Sequence, residues 1–143
     1  MNEKPMTESA TIFDENGNKT YEVHSNGIER WYNSNGKLTH YKTPSDREEW
    51  FEYDSSGNET HFRNSRGCEY WKEYDSNGNK THSKNSNGYE YWYEYDSNGK
   101  LTHFRTSSGY EEWYDTRGKV TYYKNSNGYE EWYDTIGNVT HRR

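Results

Sequence analysis

The chain has little of what usually builds a globular core. Of its 143 residues only 27% are hydrophobic, and with aromatics at 18% about two thirds of that set is rings. A thick aliphatic core is therefore excluded. There is one cysteine, Cys68, so no intrachain disulfide framework exists. No apolar run has the length of a signal-peptide core or a membrane span, and the opening stretch MNEKPMTESA is polar. The expectation is a soluble, cytoplasmic protein with no membrane partner. Sequons such as Asn58-Glu59-Thr60 and Asn79-Lys80-Thr81 are then expected to carry no glycan. Basic residues are also in deficit: 18 Lys and Arg stand against 24 Asp and Glu, a formal charge of −6. Phosphate contacts need clustered Lys and Arg, so direct nucleic-acid binding is not expected.

What is present is periodic. The tryptophans fall at 31, 50, 71, 92, 113 and 132, a period of 19 or 21 residues. The twelve glycines, from Gly17 to Gly137, alternate spacings of ten with spacings of nine or eleven, and Asp46 fills the one vacant position. One segment type reads like KLTHFR (100–105), the other like YEYWYEY (89–95) or YEEWY (110–114). Both are rich in Thr and rings and bounded by Gly, Asn, Asp and Ser, which is the signature of strands and hairpins. Alternation puts Tyr89, Tyr91, Tyr93 and Tyr95 on one face and Glu90, Trp92 and Glu94 on the other. Lengthening a strand by two residues keeps these faces, whereas one would invert them, which is why nine and eleven occur and ten does not. Helix is disfavoured: there is no 3.6-residue stripe, and a glycine arrives about every ten residues.

The turns can be typed. Asn-Gly suggests a two-residue type I′ turn, which needs positive φ at both central residues. Yet Ile136, Arg66 and Arg117 also precede a turn glycine, and a β-branched residue avoids positive φ. TPSD places Pro44 first and Asp46 in the glycine slot. Proline suits the first central position of a type I turn, and Asp tolerates the left-handed slot. The prediction is a three-residue loop: a type I turn followed by a left-handed residue. That loop pairs His82 with Trp92, Lys84 with Glu90, Lys42 with Glu48, Arg63 with Glu69, Arg105 with Glu111, Lys124 with Glu130 and Val23 with Glu29. The opposite-charge pairs stabilise by roughly 0.2–1 kcal/mol each. Applied strictly to the next loop, the same rule pairs Trp92 with Phe104 and Tyr93 with His103. Successive tryptophans would then lie on opposite faces, unless one turn class carries an extra bulge.

At this point the residues resemble a known family. Tyr53-Asp54, Tyr74-Asp75, Tyr95-Asp96, Tyr114-Asp115 and Tyr133-Asp134 each precede a turn glycine by three residues, with Leu-Thr following in the clearest copy. Tyr32-Asn33 and Phe13-Asp14 depart slightly. The pattern resembles the YD repeats of Rhs proteins over about residues 13–143, in about six and a half copies. The resemblance implies an antiparallel sheet of successive hairpins. In large Rhs proteins such sheets spiral into shells around a toxin; this chain is too short for a shell, and the Trp of every repeat departs from the family pattern.

The chemistry-bearing residues have structural explanations. His40, His61, His82, His103 and His141 share one repeat position. Equivalent strands lie roughly 9–10 Å apart, too far to share a metal with ligands at about 2 Å. The Asp-x-Asn-Gly turns resemble a calcium loop, but the glycine comes fourth, not sixth; turn capping by Asp is the better reading. Glu111-Glu112 and Glu130-Glu131 point to opposite faces, so neither is an acid/base dyad. No catalytic residue, metal site or cofactor is expected, and the chain is read as no enzyme.

The resulting expectation is an all-β fold, a tandem-repeat antiparallel meander of about fourteen short strands in one twisted or curled sheet. Residues 1–10 are expected to be a disordered tail. Residues 11–143 form one domain with repeats near 13–31, 32–52, 53–73, 74–94, 95–113, 114–132 and 133–143. Exposed rings on a single-layer sheet suit a protein interface. The candidate binding residues are Trp31, Trp50, Trp71, Trp92, Trp113, Trp132, Tyr91 and Tyr93. The leading function is docking on a partner protein, and charge and size admit a small phage or mobile-element inhibitor that blocks a nucleic-acid-binding enzyme. The alternatives are a carbohydrate-binding module using the ring ladders and a structural fragment of an Rhs-like assembly.

Overall fold

The computed structural model describes residues 8–143, so most of the expected tail over 1–10 lies outside the described residues. There are fourteen antiparallel strands and no helix among the described residues, and the sheet order is the sequence order, so the sheet does not close into a barrel. The chain divides into two compact units, one ending at Tyr70 and one beginning at Trp71. The first holds β1 (Ala10–Phe13), β2 (Lys19–Val23), β3 (Glu29–Tyr32), β4 (Leu38–Lys42), β5 (Glu48–Tyr53) and β6 (Glu59–Asn64). β7 (Glu69–Tyr74) runs through the division. The second holds β8 (Lys80–Asn85), β9 (Glu90–Tyr95), β10 (Leu101–Thr106), β11 (Glu111–Tyr114), β12 (Val120–Lys124), β13 (Glu130–Tyr133) and β14 (Val139–Arg142).

The turns follow the predicted geometry. At 33–37 the Asn33 N–H donates to the Lys37 carbonyl at 2.9 Å and the Gly36 N–H to the Asn33 carbonyl at 2.9 Å, leaving a three-residue loop. All twelve glycines have positive φ, and Asp46, at φ 59°, is the one non-glycine among the described residues that does. Ile136 therefore keeps the negative φ that its branched side chain requires. Where Asp or Asn opens the loop, its side chain caps it. Asp75 Oδ1 accepts from the Asn77 and Asn79 N–H groups, both at 2.9 Å. Asn85 does the same for Asn87 and Tyr89. These bonds, first those to Asn79, hold the Asp75 carboxyl below its ordinary pKa.

The predicted hairpin register holds for Val23↔Glu29, Lys42↔Glu48, Lys84↔Glu90, Arg105↔Glu111 and Lys124↔Glu130. The strict rule fails at the other turn class. Trp92 stands opposite Arg105 and Tyr93 opposite Phe104, not opposite Phe104 and His103. The reason is a bulge after the Tyr-Asp turn: Tyr95 pairs with Leu101 and Glu94 with His103, so Thr102 is skipped. The same skip falls at Thr20, Thr39, Thr60, Thr121 and Thr140. The skipped threonine uses its hydroxyl instead. Thr39, Thr121 and Thr140 each donate to the carbonyl of the tryptophan across the ladder at 3.2 Å, and Thr102 donates to the Glu94 carbonyl at 3.1 Å. One extra residue per repeat restores the alternation that the three-residue loop would invert.

No apolar residue is buried among the described residues, and the one buried side chain is a histidine, His103, at 6% exposure. Stability therefore comes from backbone ladders and cross-strand side-chain pairs, each contributing roughly 0.2–1 kcal/mol, with aromatic pairs worth about 0.5–1.5 kcal/mol. Stacking of one hairpin on the next replaces a core, as in other repeat architectures.

Candidate interaction surface

The bulges collect the tryptophans of each unit on one face. In the first unit the rings form a column: Tyr21 to Trp31 at 5.1 Å, Trp31 to His40 at 4.4 Å, and His40 to Trp50 at 5.1 Å between centroids. The Arg63 guanidinium closes it, 4.4 Å over Trp50. In the second unit His82 stacks on Trp92 at 5.3 Å, and Arg105 covers the indole at 4.2 Å. His103 lies 3.8 Å from Trp113, and Trp132 is flanked by Tyr122 at 5.1 Å and His141 at 4.9 Å. Trp71 shares the face of Glu73 by alternation in β7 and is 38% exposed.

Strand length decides what each tryptophan meets. β3, β11 and β13 have four residues, and their tryptophans stand opposite His40, Tyr122 and His141. β5 and β9 have six, which moves the partner on by two, to Arg63 and Arg105. The histidine then faces a glutamate. Its two ring nitrogens are held from both neighbouring strands: His61 by Glu52 at 3.2 Å and Glu69 at 2.8 Å, His82 by Glu73 at 3.5 Å and Glu90 at 3.0 Å, His103 by Glu94 at 3.1 Å and Glu111 at 2.7 Å. Burial opposes charge on His61, but the bonds to Glu69 and Glu52 outweigh it and raise its pKa. Lys42, Lys84 and Lys124 reach their glutamates at 3.4, 3.3 and 3.7 Å, whereas Arg105, though opposite Glu111, lays its guanidinium on Trp92.

The opposite face carries tyrosine, phenylalanine and a second set of acids. Tyr91 and Tyr93 lie there with Phe104, at 6.4 and 5.2 Å, so the structure separates them from the tryptophans. Tyr53 and Tyr95 donate to the carbonyls of Leu38 and Lys80 at 2.7 and 2.9 Å. Cations settle on several of these rings: Lys19 over Tyr32 at 5.6 Å, Arg30 over Tyr41 at 5.5 Å and Lys37 over Tyr53 at 5.9 Å in the first unit, and Lys80 over Tyr93 at 4.7 Å in the second. Near the end of the second unit Glu131 accepts from Tyr129 and Tyr133 at 2.6 Å and from Arg142 at 2.8 Å. Those bonds pull its carboxyl down to about 2, and the bond to Glu131 pushes the Tyr133 hydroxyl up to about 12. An open cleft on this face is lined by Glu112, Lys119, Val120, Tyr123, Tyr133 and Gly137. Sequence reading missed it. The available signal was the pair of Glu-Glu-Trp-Tyr strands, β11 and β13, where β3 has Glu-Arg-Trp-Tyr.

No family model matches the chain, and no curated protein matches it. Similar folds occur among solved Tc toxin structures. One is the Photorhabdus luminescens Tc holotoxin pore, with 15% identity and a TM-score of 0.49, covering 94% of this chain and 9% of that one. Another is a TcdB2-TccC3-Cdc42 structure, with 18% identity and a TM-score of 0.45, covering 81% of this chain and 5% of that one. A third, TcdB2-TccC3-TEV, has 13% identity and a TM-score of 0.32, with 94% and 11% covered. The chain thus spans about a tenth or less of the length of the chains it is similar to.

Proposed function

We propose that this chain is a non-enzymatic binding module, an array of YD-type hairpins that docks on a partner protein through the tyrosine and glutamate face of its sheet. The observation that carries the reading is that no apolar residue among the described residues is buried. Its rings stay at least partly open to solvent, and rigid aromatics are the usual anchors of protein interfaces. The tryptophan columns favour a protein over a sugar. Trp50 and Trp92 each have a stacked histidine on one side of the indole and a guanidinium over it, Trp31 has His40 stacked on it and Tyr21 tilted against it, and Trp132 is flanked by the tilted rings of Tyr122 and His141. A sugar or a base needs one of those faces free to stack. Cross-strand pairing of the histidines and glutamates supports a non-catalytic role, and a cytoplasmic setting accords with the free, exposed Cys68.

The test has two arms, a glycan array and affinity capture from host lysate, the second followed by reconstitution with the purified captured protein. The expected result is a protein that binds in purified form, together with a blank array. Glycan binding with no protein partner overturns the proposal.

A further inference from the structure

The two units offer an internal comparison. In the first, Tyr41 of β4 stands between Arg30 of β3 and Glu49 of β5. The Arg30 guanidinium sits over the Tyr41 ring at 5.5 Å. In the second, the same repeat positions on β11, β12 and β13 hold Glu112, Tyr123 and Glu131, again opposite one another. The tyrosine is kept, and the cation above it has become a carboxylate. Glu131 has Arg142. Glu112 accepts from the Tyr114 hydroxyl, helps to hold the Tyr110 hydroxyl protonated, and has no basic partner among the described residues. Tyr110 stands edge-on to Tyr123, centroids 5.5 Å apart at 82°. Tyr123 and the Glu112 carboxylate line the open cleft described above, and Tyr110 packs behind Tyr123.

We propose that this cleft binds a guanidinium, the side chain of an arginine carried by a basic segment of a partner protein. The arginine takes over Tyr123 the place that Arg30 takes over Tyr41, with Glu112 supplying the charge. Three features converge on that ligand. The equivalent site in the first unit is occupied by this very group. Lysine ammonium groups sit over tyrosines of this face at three other positions, so its rings accept cations generally. A planar guanidinium can stack on a ring and hydrogen-bond a carboxylate at once, which an ammonium does less well. Lys119 lines the cleft and is exposed, so its charge opposes the ligand. The biological partner rests on the protein-binding reading; the site itself can be tested without it.

The probes are the capped tripeptides of arginine, lysine and glutamate, titrated into the full-length isotope-labelled chain and followed by NMR. The arginine peptide is expected to bind best, with shifts centred on Tyr110, Tyr123 and Tyr133. Glu112→Arg places the first unit's own cation in the cleft and is expected to weaken binding at least about tenfold, the loss of one charge-assisted contact. Glu112→Gln keeps an acceptor for the tyrosine hydroxyls, leaves the fold intact and is expected to weaken it severalfold. Lys119→Gln is expected to tighten it about two- to threefold, the scale of one exposed charge. Wild-type affinity in both Glu112 variants, or shifts spread evenly over the acidic residues, overturns the site. A captured partner that binds Glu112→Arg as well as wild type leaves the protein-binding reading standing and removes only this site.

Discussion

The left-handed turn slots should each cost an amount that the geometry fixes. Gly36 has φ +73°, and a Cβ built there meets nothing within 4 Å, so Gly36→Ala tests backbone conformation alone. A left-handed L-residue costs roughly 1–2 kcal/mol, and the stiffer unfolded chain returns about 0.4–1 kcal/mol. The net loss is roughly 1 kcal/mol. Gly27 has nearly the same φ, +79°, but its Cβ would fall 2.7 Å from Cγ of Pro44 in a neighbouring turn. A proline ring has little room to yield, so Gly27→Ala should lose a further 1–3 kcal/mol or so, as in overpacked sites. Asp46→Gly runs the other way: it relieves a strained slot, and the freer unfolded chain limits the gain to under about 1 kcal/mol. Repeat arrays open locally, so amide hydrogen exchange across each hairpin is the assay, beside urea unfolding. The expected order of stability is Asp46→Gly, wild type, Gly36→Ala, Gly27→Ala. Equal protection in Gly36→Ala and wild type would refute the assigned turn, and equal losses for Gly27→Ala and Gly36→Ala would refute the Pro44 contact.

Three further outcomes are expected. His61 has a raised folded pKa, so its contribution is full below its unfolded value near 6.5 and is lost as pH rises through the folded value. The stability advantage of wild type over His61→Gln in urea unfolding should shrink from about pH 6 to pH 9, and an advantage that grows contradicts the pairing with Glu52 and Glu69. Asp115 is held down to about 2 by the Lys119 backbone N–H and Arg117, so its contribution is present above the ordinary carboxylate pKa of 3.8 and lost as pH falls towards 2. Asp115→Asn should keep the turn, as Asn85 and Asn125 do, and flatten the acid limb of the stability curve; an unchanged acid limb counts against the cap. Arg105→Ala should cost about 0.5–1 kcal/mol and shift the indole resonance of Trp92. An unmoved resonance means the guanidinium does not cover the ring.

The repeat by itself determined a great deal. Glycine spacing, together with Pro44 and Asp46, specified strands, three-residue loops and the hairpin partners, because turn geometry and side-chain alternation are local constraints. Insertions of two residues were readable as longer strands for the same reason. The Tyr-Asp turns were the place where local rules divided. A three-residue loop alone sends successive tryptophans to opposite faces, and only the paired strands show Thr102 and its counterparts stepping out of the ladder. A bulge is invisible in one strand, since it exists only as a mismatch between two. The same holds for the candidate site. Glu112, Tyr123 and Glu131 are far apart in sequence, and each looks like an ordinary strand residue. Register across three strands puts them side by side, and comparison with Arg30, Tyr41 and Glu49 shows which charge has been exchanged. The sequence thus determined the elements, the alternation within each strand and the pairing in one class of hairpin, while tertiary structure alone decided which side chains of different strands share a face and which ring planes were already covered.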